Sequence, residues 1–202
     1  MTNTATDTPV TRAGDARARL GNRAIVFIGL MGAGKSVIGK MSAAAMQIPF
    51  VDSDQEIEKA SRMSIADLFE SYGEDEFRAL EARVIRRLLR GGPMVLSTGG
   101  GAFMQEAVRA NIRRRGLSLW LKADLDVLWD RVKRRGHRPL LKTKNPRATL
   151  SELLANRYPV YAQADLTVQS RDVAKEVIVS EVLEAIAAAP PETLGRHDGN
   201  AI

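Results

Sequence analysis

The stretch AIVFIGLMGAGKS, residues 24–36, decides the fold. Its first seven residues, 24–30, are apolar with several β-branched side chains, a pattern that predicts a buried strand. The overlapping segment GLMGAGKS, residues 29–36, matches G-x-x-x-x-G-K-[ST] at every fixed position. Apolar side chains then recur at helical spacing from Lys35 to Met46. A strand, a glycine-rich turn and a helix in this order form the context in which the pattern binds phosphate.

This turn predicts a site for a nucleoside triphosphate, and ATP is the expected one. Glycines let the backbone curl so that its N–H groups point at phosphate oxygens, and the helix start adds partial positive charge. Lys35 is expected to reach the β- and γ-phosphates, and the Ser36 hydroxyl to bind Mg²⁺. The pattern alone fits a kinase, a GTPase or a motor ATPase. The expected ATP contacts from the loop are Gly32, Ala33, Gly34, Lys35, Ser36 and Val37.

Strands and helices alternate along the rest of the chain. The alternation predicts an α/β fold with a parallel sheet covered by helices on both faces. Ligands of such sheets bind at the carboxyl ends of the strands. A long helical stretch at 54–91 predicts an insertion beside the sheet. The predicted strands are 24–30, 49–54, 93–98, 117–123 and 165–170.

Two acidic residues, Asp52 and Asp54, end the second predicted strand. Side chains two apart on a strand point the same way, so the two carboxylates repel each other. The repulsion is relieved if one of them binds a cation or a hydroxylated ligand. We expect Asp52 to support Mg²⁺ through water, and Asp54 to act on a substrate hydroxyl as a base or as an orienting group. The plainer interpretation is a helix cap and a surface acid.

A run of three glycines, residues 99–101, follows the third predicted strand. It would let a ligand approach the backbone closely, although a tight turn into the next helix is a simpler explanation. Arg78 lies in the predicted insertion, and Arg157 lies on a helix late in the chain. Two arginines facing a glycine-lined pocket suit a carboxylate, because a guanidinium group binds it with two hydrogen bonds. Taken alone, either arginine is an ordinary surface residue.

Basic residues crowd the segment 133–147, which is polar, broken by prolines and therefore predicted to be a loop. We expect a mobile lid that delivers an arginine to the triphosphate, a contribution worth about 10³–10⁵ in rate. We expect Arg138, just before Pro139, to be the arginine that the lid delivers. The alternative is a solvated basic face or a nucleic-acid patch. Aromatic residues are only 5% of the chain and do not alternate with the basic ones, which disfavours nucleic acid.

The composition excludes several classes of protein. The length of 202 residues favours one domain, and 45% hydrophobic with 27% charged residues is ordinary for a globular protein. Without cysteine there are no disulfides, thiolate metal sites or cysteine nucleophile, and a cytoplasmic location is expected. The formal charge of +6 suggests an anionic partner. We expect neither a secretory signal nor a membrane-spanning segment.

Both ends of the chain are expected to be disordered. Residues 1–22 are rich in Thr, Ala and Arg without a helical stripe, and residues 189–202 are polar with two prolines. A single domain is predicted over 23–188, with the substrate-binding insertion at 54–91 and the lid at 133–147.

The motifs together resemble those of the shikimate kinase family. The resemblance implies a three-layer P-loop fold with a five-stranded parallel sheet in the order 2-3-1-4-5, a helical substrate-binding insertion and a mobile lid. It implies phosphorylation of the 3-hydroxyl of shikimate by MgATP, on the route to chorismate and aromatic amino acids. It rests on segments that fall in the family's order over residues 23–170: GLMGAGKSVIGK, DSDQEIE, Phe77-Arg78…Glu81, STGGGA, HRPLL and NRYPVYAQAD.

The resemblance also implies roles for individual residues. The catalytic residues would be Lys35, Asp54 and Arg138. Shikimate would be bound by Asp54, Arg78, Gly100, Gly101 and Arg157. Beyond the loop, ATP would be bound by Arg131, Arg138 and Arg171. The magnesium ligands would be Ser36 and, through water, Asp52.

The expected partners are therefore ATP and shikimate, with neither nucleic acid nor membrane, and the expected state is a monomer. Two alternatives of similar fold stay open. One is a gluconate-type kinase and the other is a nucleoside monophosphate kinase.

Overall fold

The computed structural model describes residues 9–134 and 143–194. The strands are β1 Ala24–Ile28, β2 Phe50–Asp52, β3 Met94–Ser97, β4 Gly116–Lys122 and β5 Leu166–Gln169. They form one parallel sheet in the order β2-β3-β1-β4-β5. This confirms the predicted sheet and its order. At the centre, Ala24 pairs with both Met94 and Gly116, so β1, β3 and β4 start side by side.

Helices cover both faces of this sheet, as the alternation predicts. Helices α2 and α8 contact each other, and α5 contacts both α4 and β4. The helices are α1 Pro9–Leu20, α2 Lys35–Ala45, α3 Ser53–Ser61, α4 Ile65–Leu88, α5 Glu106–Arg115, α6 Leu125–Lys133, α7 Pro146–Tyr161, α8 Lys175–Ala187 and α9 Pro191–Leu194, with a 3₁₀ turn at Ala102–Met104.

The core follows from the apolar runs of the central strands. All five residues of β1 are buried, as are all four of β3. Strands covered on both faces have no solvent side, which is why their sequences are almost continuously apolar. Apolar side chains of α2, α5 and α8 complete the same cluster. The rigid sheet therefore fixes the loops at its carboxyl edge.

The predicted insertion is formed by α3 and α4, which bury a small apolar cluster of their own. Its centre is Ile57, Leu68 and Phe77. The Ser64 side chain caps α4 by accepting a hydrogen bond from the Asp67 N–H at 3.1 Å. This separate cluster lets α3 and α4 extend from the sheet and still hold their side chains in place.

The prediction of disorder over residues 1–22 is wrong for α1, which packs against α8. Ala13, Ala16 and Leu20 are buried at helical spacing. Arg12 also donates a 2.9 Å hydrogen bond to the Ser180 hydroxyl. Two of these three residues are alanines, whose short side chains do not form a distinct apolar stripe in the sequence.

The prediction of disorder over 189–202 is wrong at its start. Ala189 is buried, its carbonyl accepts a 2.8 Å hydrogen bond from Arg19, and α9 follows. Residues 195–202 lie outside the described residues, as do residues 1–8 and the central part of the predicted lid, 135–142. Within the described ranges, no helix combines the length and the apolar character needed to cross a membrane.

Candidate active site

The phosphate loop, residues 29–34 between β1 and α2, has the shape that phosphate binding requires. Gly29, Gly32 and Gly34 have φ angles of 145°, 85° and 99°, which side chains disfavour and glycine tolerates. A methyl group on Gly32 would also meet the Leu128 carbonyl oxygen at 3.1 Å. Gly34 begins α2 without a side-chain cap, so the first N–H groups of the helix point into the loop. This arrangement forms an anion site.

The predicted lysine lies across this loop. Lys35 Nζ donates hydrogen bonds to the carbonyls of Gly29 and Leu30, at 2.8 and 3.1 Å. Its neighbours Ala33 and Val37 are buried and half-buried, so they fix the loop on the sheet. The ammonium group is thereby held against the backbone of this loop.

The predicted magnesium ligands meet next to the lysine. The Ser36 hydroxyl lies 3.4 Å from Oδ2 of Asp52. The other oxygen of Asp52 accepts a 3.0 Å hydrogen bond from the Asp54 N–H, so Asp52 also caps α3. A hydroxyl and a carboxylate suit Mg²⁺, which binds one or two protein oxygens together with phosphates and water. The residues therefore fit the ion. In the described part of the chain no cluster of three acids or histidines offers a metal site of its own.

A polar network joins the end of β5 to the phosphate loop. Arg131 donates to the Ser170 hydroxyl at 2.8 Å and to the Arg171 carbonyl at 2.7 Å. The Ser170 hydroxyl donates in turn to the Ala33 carbonyl at 2.8 Å. The side chain of Arg171 forms an ion pair with Glu181 of α8. Arg131 therefore contacts the loop network directly, whereas Arg171 contributes its backbone.

The glycine run 99–101 makes room for three of the predicted side chains. All three glycines lie outside the positive-φ region, so no unusual backbone conformation requires glycine here. What requires glycine is the lack of space for a side chain. A methyl group on each would come within 3.0 Å of one of them: Asp54 at Gly99, Arg157 at Gly100 and Arg78 at Gly101. The acid and the two arginines thus converge on one short backbone segment.

The carboxyl of Asp54 has an unusual environment. Burial raises its pKa, and the negative charge of Asp52 raises it further. The positive charge of Lys35 lowers it. The Ser53 hydroxyl lies 3.4 Å from Oδ1. A carboxylate with a raised pKa is a stronger proton acceptor, as a base acting on a hydroxyl requires.

Two acids on α4 hold Arg78. Its Nη1 lies 2.7 Å from Glu81, which is only 1% exposed, and its Nη2 lies 3.2 Å from Glu74, which is 67% exposed. Gln105 donates a 2.8 Å hydrogen bond to the same Glu81 oxygen. Burial raises the pKa of Glu81, while the hydrogen bond and charge of Arg78 oppose the rise. The guanidinium is therefore fixed beside the glycine run.

Two tyrosines of α7 position the glycine run and the neighbouring strand. Tyr161, one turn after Arg157, is fully buried and donates its hydroxyl to the Gly100 carbonyl. Tyr158 donates to the Ala123 carbonyl at the end of β4. Burial raises the pKa of both hydroxyls, so they remain neutral donors. These two hydrogen bonds anchor helix α7 at the carboxyl edge of the sheet and hold Arg157 beside Gly100.

The structure brings all but one of the predicted site residues to the carboxyl edge of the sheet. The exception is Arg138, which lies outside the described residues. Sequence reasoning gave no role to Glu81, Tyr161 or Ser170. Helical spacing could have indicated the first two, since they follow Arg78 and Arg157 by three and four residues. No local signal points to Ser170, because its partners come from distant segments.

Comparison with known proteins gives one family. The shikimate kinase family model matches residues 31–187. A shikimate kinase of Rhizobium leguminosarum bv. trifolii (strain WSM2304) is 61% identical over 178 residues, 88% of this chain and 91% of that protein. A shikimate kinase of Rhizobium meliloti (strain 1021) is 62% identical over 177 residues, 88% of this chain and 92% of that protein.

Solved structures agree with the sequence comparison. Shikimate kinase from Acinetobacter baumannii in complex with shikimate is 34% identical with a TM-score of 0.78, over 85% of this chain and 96% of that one. A gluconokinase from Sinorhizobium meliloti 1021, at 22% identity and a TM-score of 0.57 over 88% and 99%, shares the fold alone. Because the family model and close relatives cover most of its length, the chain belongs to the shikimate kinase family.

Proposed function

We propose that this chain transfers the γ-phosphoryl group of ATP to the 3-hydroxyl of shikimate. The observation that carries the proposal is the convergence of Arg78 and Arg157 on the glycine run beside Asp54. This convergence lies at the same sheet edge as the phosphate loop. One edge therefore offers a triphosphate site next to a pocket that suits a hydroxylated carboxylate.

In this proposal the acceptor is held at both ends. Arg78 and Arg157 bind the carboxylate of shikimate, and the backbone of Gly100 and Gly101 lies against the ring. Asp54 accepts a hydrogen bond from the 3-hydroxyl. Holding the hydroxyl in line with the γ-phosphate turns an encounter between two molecules into a step within one complex, which lowers the barrier.

The transfer step then needs little covalent chemistry from the protein. The 3-hydroxyl oxygen attacks the γ-phosphorus while the bond from that phosphorus to the departing ADP oxygen breaks. The hydroxyl proton passes to Asp54 or stays hydrogen-bonded to it during the transfer. Lys35 stabilises the charge on the β- and γ-phosphates, and the proposed lid residue Arg138 adds a second cation.

The remaining groups hold the nucleotide. Ser36 and, through water, Asp52 would bind Mg²⁺, which neutralises β- and γ-phosphate charge when bound with ATP. Arg131 and Arg171 are proposed to lie on the adenine side of the loop. We also propose a monomer in the cytoplasm that binds neither nucleic acid nor membrane; the lack of cysteine fits a reducing compartment.

An ADP-release assay with a panel of acceptors tests the proposed function. The panel contains shikimate, gluconate and nucleoside monophosphates, each with MgATP. We expect turnover with shikimate and only background ADP release with the others. Turnover with gluconate or a nucleotide, and none with shikimate, would show that the pocket serves a different acceptor.

A further inference from the structure

A second cavity lies at the opposite edge of the sheet from the phosphate loop. Its volume is about 670 Å³, and its walls include the residues that precede β1, β3 and β4. No acidic residue is among the described residues that line it. Five of the lining residues are arginines: Arg19, Arg23, Arg90, Arg114 and Arg115.

The fold, not a single basic run, brings these arginines together. Ala24 pairs with Gly116, so the residues just before them, Arg23 and Arg115, start neighbouring strands about 4.8 Å apart. Arg19 comes from the last turn of α1, and Arg90 from the turn that links α4 to β3. Elements distant in sequence thus place like charges around one cavity.

Protein groups leave most of this charge without a counterion. None of the five arginines forms an ion pair with a described residue. Arg19 donates to the Ala189 carbonyl, and Arg114 donates to the Asn111 side chain at 2.7 Å. Nη1 of Arg23 is buried and has no hydrogen-bond partner among the described residues.

Helix ends offset only part of the charge. Helices α1, α4 and α5 end at this edge, and a helix carboxyl end carries about half a negative charge. Three such ends together carry less than two negative charges, whereas the five arginines carry five positive ones. The cavity therefore keeps an excess of positive charge.

We propose that this cavity binds a small molecule with at least two phosphate or carboxylate groups. Guanidinium groups bind both kinds of anion with paired hydrogen bonds. The lining has no aromatic residue on which a nucleic-acid base could stack, and a cavity does not follow a long backbone. A compact polyanion fits the site better than nucleic acid. The site is separate from the proposed active site, so it does not depend on the proposed function.

Calorimetric titration with inorganic pyrophosphate tests the site in the full-length protein. Excess ADP and shikimate are present throughout, so that the phosphate loop is occupied. We expect one further binding site in the wild type, with an affinity that does not change when ADP is raised. Arg23→Gln and Arg115→Gln should each weaken pyrophosphate binding at least about tenfold, because each removes a guanidinium from the cavity wall.

Arg113→Gln is the matched control. Arg113 is exposed on the last turn of α5, carries the same charge and is not part of the lining. It should bind pyrophosphate as the wild type does. Citrate as a second titrant separates the two anion classes, since competition with pyrophosphate means that carboxylates are also accepted. If Arg23→Gln does not fold, Arg115→Gln, whose side chain is exposed, decides.

Three results would overturn the proposal. The first is no pyrophosphate binding beside bound ADP. The second is an equal loss of affinity in Arg113→Gln and Arg115→Gln, which would mean a diffuse surface potential. The third is binding of a single-stranded oligonucleotide more tightly than pyrophosphate with the same dependence on Arg23 and Arg115, which would assign the surface to nucleic acid.

Discussion

Arg78 Nη1 lies 2.7 Å from Oε2 of Glu81, a carboxylate that is only 1% exposed. A buried carboxylate is tolerated when it is paired and hydrogen-bonded, and Gln105 supplies a second donor. The pair therefore holds the guanidinium in position before a substrate arrives. Fixing a binding group in advance reduces the entropy lost on binding.

Glu81→Gln should raise the KM for shikimate about tenfold while kcat changes less, because the neutral amide holds Arg78 less firmly. Glu74→Gln is the control, since Glu74 pairs with the same arginine but is 67% exposed. Exposed ion pairs contribute about 0–1 kcal/mol, so its KM should change less than about fivefold. Steady-state kinetics measure both. Equal effects of the two variants would show that burial of Glu81 is irrelevant to shikimate binding.

Asp54→Asn should lower kcat by about 10²–10⁴ while ATP still binds, because the amide cannot accept the hydroxyl proton. Single-turnover kinetics and nucleotide titration measure the two quantities separately. A variant that keeps its kcat would remove Asp54 from the transfer step.

The same variant should gain thermal stability. Because the pKa of Asp54 is raised in the folded protein, the folded state binds this proton more tightly than the unfolded chain does. Ionised Asp54 therefore opposes folding above the folded pKa, and the penalty disappears as the pH falls below 3.8, the ordinary pKa of an aspartate. The gain in Tm over the wild type should be largest at pH 7.5 and shrink toward pH 4. A gain that does not vary with pH would contradict this explanation.

Tyr161→Phe should raise the KM for shikimate several-fold, because the Gly100 carbonyl loses its hydrogen bond and the glycine run loosens. Losing a buried hydrogen bond costs about 1–3 kcal/mol of stability. Tyr158→Phe removes a similar bond to Ala123 and should cost similar stability without changing that KM. Steady-state kinetics give the KM of the two variants, and thermal unfolding gives their stability. Identical KM values for the two variants would mean that Tyr161 does not position the substrate site.

Ala16→Asp should destabilise the protein by more than about 2 kcal/mol, because it buries a carboxylate between α1 and α8. Ala18→Asp makes the same change on the exposed side of α1 and should have an effect within about 0.5 kcal/mol. Urea unfolding gives both values. If both variants matched the wild type, α1 would not be part of the folded core.

Local signals made most of the fold predictable. Apolar runs identify strands buried on both faces, and the glycines of residues 29–36 identify the turn that separates strand from helix. Helix α1 has no such local signal, because Ala13 and Ala16 bury little area and their partner α8 lies far along the chain. Its contribution depends on close packing between helices, which composition does not report.

The site was predictable as a set of residues but not as a set of contacts. Asp52 combines the two tasks that the sequence left as alternatives, since it caps α3 and approaches Ser36. The glycine run makes room for side chains of the protein as well as for any ligand, because Asp54 and Arg78 occupy the space beside it. Contacts of this kind depend on tertiary distances, for which a single sequence holds no local signal.

The central proposal, that Arg78 binds a substrate carboxylate beside the phosphate loop, is tested most directly by kcat/KM for shikimate and for its uncharged amide. The wild type and Arg83→Ala, an exposed neighbour on α4, should prefer shikimate by about 100-fold. In Arg78→Ala this preference should fall at least about tenfold, because the guanidinium that distinguishes the two ligands is gone. A preference in Arg78→Ala equal to that of the wild type would contradict the proposal.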